Sequence, residues 1–200
     1  MEKIRDDLLY FWFGDNPDDV VVAEAKAGLW WGHKPETDEE IRERFGTAAA
    51  AAAVGVLDHW AGSPRGRLAL ILLLDQMPRV IHRGQPESFS VDVDALKFAE
   101  QGLASGADRL LRPIERVFFY LPFEHSEDLK DQERSVELFR ELAGSVPEAH
   151  RETFGSFIDF AVRHHEIVAR FGRFPHRNQV LGRESTADEM AFLEEPGSGF

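Results

Sequence analysis

The stretch Ala169-Arg170-Phe171-Gly172-Arg173-Phe174-Pro175-His176-Arg177-Asn178 lies where a long helix is predicted to end. Apolar residues recur before it at three- and four-residue steps, with His164 on the same stripe. This spacing predicts a helix over residues 147–171, and Gly172 is the kind of residue that ends one. Three arginines, a histidine and an asparagine surround that helix end. The stretch therefore indicates a helical fold and marks the place where a site is expected.

The same helical periodicity runs through the rest of the chain, in segments of about 10–25 residues. Helix starts are predicted at the capping box Thr37-x-x-Glu40, at Ser63-Pro64 and at a second capping box, Thr186-x-x-Glu189. Helix ends are predicted near Asp75 to Pro78, since proline pushes the preceding residue away from helix, and at Pro122. The sequence thus contains clear signals for both ends of helices.

Other segments give weaker signals. Residues 18–36 fit either a strand or a helix, because a valine run precedes alanines. Asp92 is expected to cap a helix that runs to Ala104, and Ser126 to start the helix that follows Pro122. No segment is a convincing strand. We therefore predict an all-α fold of eight or nine helices in antiparallel pairs.

Length and composition limit the class of protein. The 200 residues fit a single helical domain over 1–200, with residues 196–200 as a C-terminal tail. There is no cysteine, which excludes thiolate catalysis and thiolate metal sites. No apolar run is long enough to cross a bilayer, and the acidic N-terminal segment is unlike a signal peptide. A soluble cytoplasmic protein is the expectation.

The charge is distributed unevenly. The net charge of −13 argues against nucleic acid or an anionic membrane as a partner. Residues 163–184 nevertheless carry five arginines and two glutamates, a local charge of +3, so the remainder carries −16. Arginine suits carboxylate or phosphate groups, yet it also pairs with acids of the same chain. Both explanations of the arginine cluster stay open.

Three motifs carry a resemblance to a known family: Asp75-Gln76-Met77-Pro78-Arg79, Pro122-Phe123-Glu124-His125-Ser126-Glu127-Asp128, and residues 170–178 quoted above. Together with residues 181–185 they resemble the bacterial family catalogued as domain of unknown function 924. The resemblance spans nearly the whole chain. It implies an all-helical domain with tetratricopeptide-like, superhelical helix pairing, and it implies no established activity.

Several familiar sites are absent from the sequence. His165-Glu166-Ile167-Val168-Ala169 lacks the second histidine of the zinc protease motif. There is no phosphate-binding loop, no Gly-x-Gly-x-x-Gly motif and no Gly-x-Ser-x-Gly elbow. The Glu-x-x-His pairs of di-iron bundles are also missing. We therefore predict no cofactor and no resident metal.

What remains is a set of polar residues at three predicted helix ends. The candidate ligand-binding residues are Asp75, Gln76, Arg79, Arg173, Arg177 and Asn178, and the candidate catalytic residues are Glu124, His125 and His176. The ends of paired helices can converge, and an arginine-lined cleft would hold an anionic group. A histidine beside a carboxylate can transfer protons.

Three hypotheses follow for the function. The first is a binding or scaffold domain whose Arg/His-lined cleft takes a small anion, a nucleotide-like ligand or an acidic peptide. The second is a hydrolase-type enzyme that uses His/carboxylate pairs, with or without a metal. In the third, the polar cluster only locks helix ends together. The oligomeric state is not indicated by the sequence.

Overall fold

The most apolar segment of the sequence, Leu68 to Leu74, forms the middle of the fold in the computed structural model, which describes residues 2–199. Every residue of this segment is at most 1% exposed. Its helix, α4, covers residues 64–81 and packs against several neighbouring helices, as predicted for a central buried helix. Core residues of other helices surround it, including Trp12, Phe45 and Phe118.

Within residues 2–199 the chain forms nine α-helices and no strand, which confirms the predicted all-α class. They are α1 (Glu2–Phe13), α2 (Asp19–Trp30), α3 (Pro35–Ala53), α4 (64–81), α5 (Asp92–Ser105), α6 (Pro113–His125), α7 (Leu129–Ser145), α8 (Arg151–Phe171) and α9 (Ala187–Leu193). Helix α8 packs against α7, and α7 packs against α6. Whether the pairs build a tetratricopeptide-like superhelix stays a prediction.

The prediction that α4 ends near Asp75 to Pro78 is wrong. Residues Pro64–Ile71 are α-helical, Leu72–Gln76 form a π-helical turn, and Met77–Ile81 continue the helix. The wider turn lets the Met77 N–H bond to the Leu72 carbonyl. A proline normally breaks a helix, because it lacks an N–H and clashes with a preceding carbonyl. The π turn before Pro78 shifts the backbone hydrogen bonds by one residue, and the helix continues past the proline. The turn contains Asp75 and Gln76, both buried.

The predicted break at Pro122 is also wrong. Helix α6 continues through Pro122 and ends at His125, with Ser126 as the C-terminal cap. Glu124 and His125 therefore lie on its last turn and not in a loop. The next helix is capped by the Asp128 carboxylate, which accepts from the Lys130 N–H at 2.8 Å, and not by Ser126.

Three other helix starts differ from the predictions. Helix α3 begins at Pro35, two residues before the predicted cap Thr37. Helix α8 begins at Arg151, after a 3₁₀ turn over Glu148–His150. Asp92 is the first residue of α5 but makes no cap, because its carboxylate pairs with Arg79 instead. The carboxylate that was predicted to cap the helix is thus used in an ion pair with Arg79.

Other local predictions are confirmed. The Ser63 hydroxyl accepts from the Gly66 N–H and starts α4. The capping box of Thr186 and Glu189 starts α9. Gly172 ends α8 with a φ of 69°, a left-handed conformation that favours glycine. The ambiguous segment over 18–36 is helical over Asp19–Trp30, where the Asp18 side chain caps the helix, and residues 31–34 connect it to α3.

The segment after α8 is held against the helix bundle. Phe174 is fully buried and packs with Ile167 and Val168 of α8. A 3₁₀ turn, Pro175–Arg177, follows directly and presents its side chains toward the ends of α4 and α6. None of the helices in the described part of the chain is long and apolar enough to span a membrane.

Candidate functional site

The polar motifs converge on one cavity of about 710 Å³. Gln76 and Arg79 reach it from α4, and Glu124 and His125 reach it from the last turn of α6. The 3₁₀ turn after α8 contributes His176 and Arg177. Asp75 lies beneath this surface and is bonded to His125. Seven of the nine candidate residues are thus brought together by three separate elements.

Asp75 is the buried centre of the polar side of the cavity. Its Oδ1 lies 2.7 Å from His125 Nδ1, and its Oδ2 accepts from the Gln76 amide at 2.6 Å. Arg79 approaches the same carboxylate at 3.4 Å. Burial alone raises the pKa of Asp75, but the charges of Arg79 and His125 and these hydrogen bonds hold it well below its usual value. Asp75 is therefore ionised at neutral pH.

Arg79 is neutralised within the protein. Its guanidinium donates two parallel bonds to Asp92, at 2.8 Å and 2.9 Å, and a further bond to the Asp75 carbonyl oxygen. Burial lowers the pKa of Arg79, but Asp75 and Asp92 outweigh it and raise the value. The ligand-binding role predicted for Arg79 would have to compete with this bidentate pair.

Arg177 is buried, and its charge is less compensated than that of the half-buried Arg79. Its side chain is stacked against the rings of Phe89 and Phe174, 4.6 Å and 4.5 Å from their centroids, and the residue is 7% exposed. Its ion pair with Asp92 is 3.6 Å long, and Nε has no hydrogen-bond partner. Burial and then the charge of Arg79 lower the pKa of Arg177 to about 10. A buried cation remains here without full charge compensation.

Glu124 is a buried carboxyl group of the opposite kind to Asp75. It is 4% exposed, and burial, followed by the charge of Asp75, raises its pKa to about 8. At neutral pH it is therefore mostly protonated and can donate a hydrogen bond. Its Oε1 lies 3.2 Å from His164 Nδ1. Two carboxyl groups in one site thus hold opposite protonation states, a pattern typical of acid–base sites.

The histidines of the cavity are uncharged at neutral pH. Burial and the charge of Arg79 lower the pKa of His125, although Asp75 opposes this. Burial lowers the pKa of His164 to about 3, and burial together with Arg177 lowers that of His176 to about 4. His164 Nδ1 lies 2.8 Å from the Phe160 carbonyl oxygen, so Nδ1 carries the proton. Neutral imidazoles can accept a proton from a bound molecule.

The remainder of the cavity is aromatic. Trp12, Trp30, Leu121, Phe139 and Phe157 line its apolar side. Trp31 and Phe160 are 54% and 47% exposed and mark its open edge. A small molecule with an apolar body and one charged or polar end would fit the aromatic and the polar sides of this cavity.

Arg173 and Asn178 do not line the cavity. Arg173 donates two bonds to Glu189, at 2.6 Å and 2.8 Å, and one to the Glu184 carbonyl. Asn178 donates to Ser185 and accepts from Arg183. These bonds lock α9 and the preceding loop onto the end of α8. The arginine cluster therefore serves both structure and cavity, and the ligand-binding roles predicted for Arg173 and Asn178 lack support from their placement.

Arg173→Ala is expected to lower the midpoint of thermal unfolding and to leave the cavity unchanged, because it removes the bidentate contact to the buried Glu189. Differential scanning calorimetry measures the shift, with Arg140→Ala at an exposed position as the control. An unchanged midpoint would show that the pair contributes nothing to stability.

Besides the aromatic lining, several polar and edge residues of the site were not predicted as site residues from the sequence. Asp92 and Phe89 come from the segment before and at the start of α5 and hold Arg79 and Arg177. Trp31 lies at the open edge of the cavity, and His164 lines its buried part. His164, which the sequence places on the apolar stripe of its helix, is buried and bonded to the Phe160 carbonyl oxygen. Its position on the apolar stripe facing the core was the available signal.

No group of three His, Asp or Glu side chains among the described residues is arranged to hold a metal ion. Acid–base and charge interactions of the side chains above are the chemistry that this arrangement offers.

The fold and the cavity define the class: an all-helical protein with a partly buried polar cleft of small-molecule size. Residues 8–197 match the family described as bacterial protein of unknown function (DUF924), and the chain belongs to this family. A solved structure of a protein of unknown function from Agrobacterium tumefaciens is similar, with 35% sequence identity and a TM-score of 0.81 over 96% of this chain and 98% of that chain. No curated protein matches the sequence. The resemblance carried by the motifs is confirmed.

Proposed function

We propose that the protein binds a small amphipathic anion in the cavity, with the anionic group on Arg177 and the apolar body against the aromatic side. The observation that carries this proposal is the state of Arg177, a 7% exposed cation whose Nε makes no hydrogen bond. A carboxylate or phosphate in the cavity would accept charge-assisted hydrogen bonds from the guanidinium and supply the charge that Asp92 provides only over 3.6 Å.

The polar neighbours of Arg177 support an anion over a cation. Asp92 already accepts two bonds from Arg79, so it compensates Arg177 only over 3.6 Å. Asp75 is likewise committed to His125 and Gln76. A protonated Glu124 offers a further hydrogen-bond donor to an oxygen of the ligand.

The size and walls of the cavity favour a small molecule over an acidic peptide. A volume of about 710 Å³ falls in the range of small-molecule sites. Trp30, Phe139 and Phe157 would cover one aromatic or branched aliphatic group. The cytoplasmic location expected from the sequence remains a prediction.

Arg177→Gln is expected to weaken binding of 3-phenylpropionate by about 10- to 100-fold, because one charge-assisted contact is lost. Isothermal titration calorimetry measures the affinity. Arg177→Lys keeps the charge and should retain part of the affinity. Arg140→Gln, at an exposed position, should match the wild-type affinity. Circular dichroism confirms that each variant is folded. Phenyl phosphate in the same titrations compares phosphate with carboxylate.

Equal affinity in the wild type and in Arg177→Gln would show that Arg177 does not bind the ligand. Failure of the wild type to bind 3-phenylpropionate, phenylpyruvate and phenyl phosphate would contradict the proposed function itself.

A further inference from the structure

The paired side chains Asp75 and His125 give the cavity an oriented base. The carboxylate can only accept a hydrogen bond, so the 2.7 Å contact places the proton of the neutral imidazole on Nδ1. The lone pair is then on Nε2, the nitrogen that this contact leaves to a bound molecule. His125 lines the cavity, and its side chain is 14% exposed. Asp75 also stabilises the imidazolium that forms when Nε2 takes a proton.

A proton donor lies beside this base. Glu124 precedes His125 on the last turn of α6, and both line the cavity. The ring of His164 connects them in space: its centroid is 6.3 Å from that of His125, and its Nδ1 is 3.2 Å from Glu124 Oε1. Acid and base therefore both line the same cavity, and both contact His164.

The hydroxyl groups at the cavity are already committed to the backbone. Ser88 donates to the His82 carbonyl, and Ser156 donates to the Thr153 carbonyl at 2.7 Å. Neither serine is bonded to His125, whereas a serine nucleophile needs an adjacent base. A His/carboxylate pair can also support hydrolysis through a covalent intermediate. Without a serine bonded to His125, this arrangement favours proton transfer instead.

We propose that the protein catalyses enolisation of 2-oxo acids that carry an apolar side chain. This inference rests on the proposed function, since it places the carboxylate of the substrate on Arg177 and the side chain against the aromatic side. The keto oxygen then lies at Glu124 and the C3 carbon at His125.

The step transfers two protons and needs no other reactant. The C3–H bond breaks and its proton moves to His125 Nε2, while the electron pair forms the C2–C3 double bond. The C2=O π pair takes the proton of Glu124 and becomes an enol hydroxyl. The site is left with an imidazolium beside Asp75 and a Glu124 carboxylate, so its total charge is unchanged. The reverse step returns a proton to C3, and in D₂O it delivers a deuteron.

The pH dependence follows from the same groups. Glu124 shares its surroundings with Asp75 of α4, His164 of α8, and His176 and Arg177 of the 3₁₀ turn. Burial and Asp75 raise its pKa to about 8, so the exchange rate should fall above about pH 8. It should also fall at acidic pH, below the usual pKa of histidine, where His125 becomes protonated.

The test is deuterium exchange at C3 of phenylpyruvate and of 4-methyl-2-oxopentanoate in D₂O, followed by proton NMR. We expect the wild type to exceed the buffer rate by about 10²- to 10⁴-fold. Glu124→Gln and His125→Gln should each lower the rate at least about 30-fold. Isothermal titration of 3-phenylpropionate, which lacks the keto group, measures the affinity of each variant separately, and the loss of exchange should exceed any loss of affinity. Arg140→Gln is the control at an exposed position.

Binding of these acids by the wild type with exchange at the buffer rate would overturn the enolisation and leave the binding function standing. Exchange by either variant at the wild-type rate would overturn its assigned role. Absence of binding of 3-phenylpropionate, phenylpyruvate and phenyl phosphate would overturn both proposals.

Discussion

Asp75→Ala is expected to lower the free energy of unfolding by about 3–5 kcal/mol, the loss typical of breaking a buried ion pair. Asp75 is fully buried and is the shared partner of His125, Gln76 and Arg79. Its removal leaves the Gln76 amide and the imidazole in the interior without their acceptor, and it opens a small cavity. Urea unfolding at neutral pH, followed by circular dichroism, measures the change.

Asp75→Asn separates charge from volume in this experiment, because asparagine fills the same space. A loss close to that of Asp75→Ala would assign the effect to the lost charge, whereas a small loss would assign it to the cavity. Asp94→Ala removes an exposed carboxylate from α5 and should change stability by at most about 0.5 kcal/mol. Wild-type stability in Asp75→Ala would contradict the network around the π-helical turn of α4.

Glu124→Gln is expected to make the protein more stable than the wild type at alkaline pH, by about 3–5 kcal/mol at about pH 8.5, because each unit of pKa shift corresponds to about 1.4 kcal/mol. The folded-state pKa of Glu124 is raised from 4.5 to about 8, so the native state retains a proton that the unfolded chain releases. Wild-type stability therefore falls as the pH rises from about 4.5 to about 8. Glutamine resembles the protonated carboxyl group in shape and does not titrate.

The buried histidines change the dependence of stability on pH in the opposite direction. The pKa of His164 is lowered to about 3 and that of His176 to about 4, both from 6.5, so the unfolded chain binds more protons below about pH 6.5. Stability then falls as the pH drops through this window. The wild type should be most stable near about pH 6.5, and Glu124→Gln should keep the acid fall and lose the alkaline fall. Parallel profiles of the two proteins in urea unfolding would contradict the protonated state of Glu124.

Local signals in the sequence predicted the helix class and several helix ends, because such signals depend on neighbouring residues. Ser63, Thr186 and Gly172 each act within one turn of the backbone. Pro78 and Pro122 misled the prediction, since tertiary packing keeps α4 and α6 helical through both of them. A proline costs a helix a hydrogen bond, but burial of the flanking apolar residues can outweigh that cost.

Sequence signals likewise predicted only part of the site. Its residues stand in motifs with clustered charge, and the motifs were identified from the sequence. Which arginine faces the cavity was not predictable, because Arg173 and Arg177 have the same chemistry four residues apart. The partners that decide this, Glu189 for Arg173 and Asp92 for both Arg79 and Arg177, are distant in sequence. Only the packing of α5 and α9 brings them into place.

A crystal structure of the protein soaked with 3-phenylpropionate tests the central claim most directly. We predict that the carboxylate lies within about 3 Å of the Arg177 guanidinium and that the phenyl ring lies between Trp30 and Phe157. A ligand bound only outside the cavity, or a carboxylate turned away from Arg177 toward the exposed edge at Trp31, would contradict the claim.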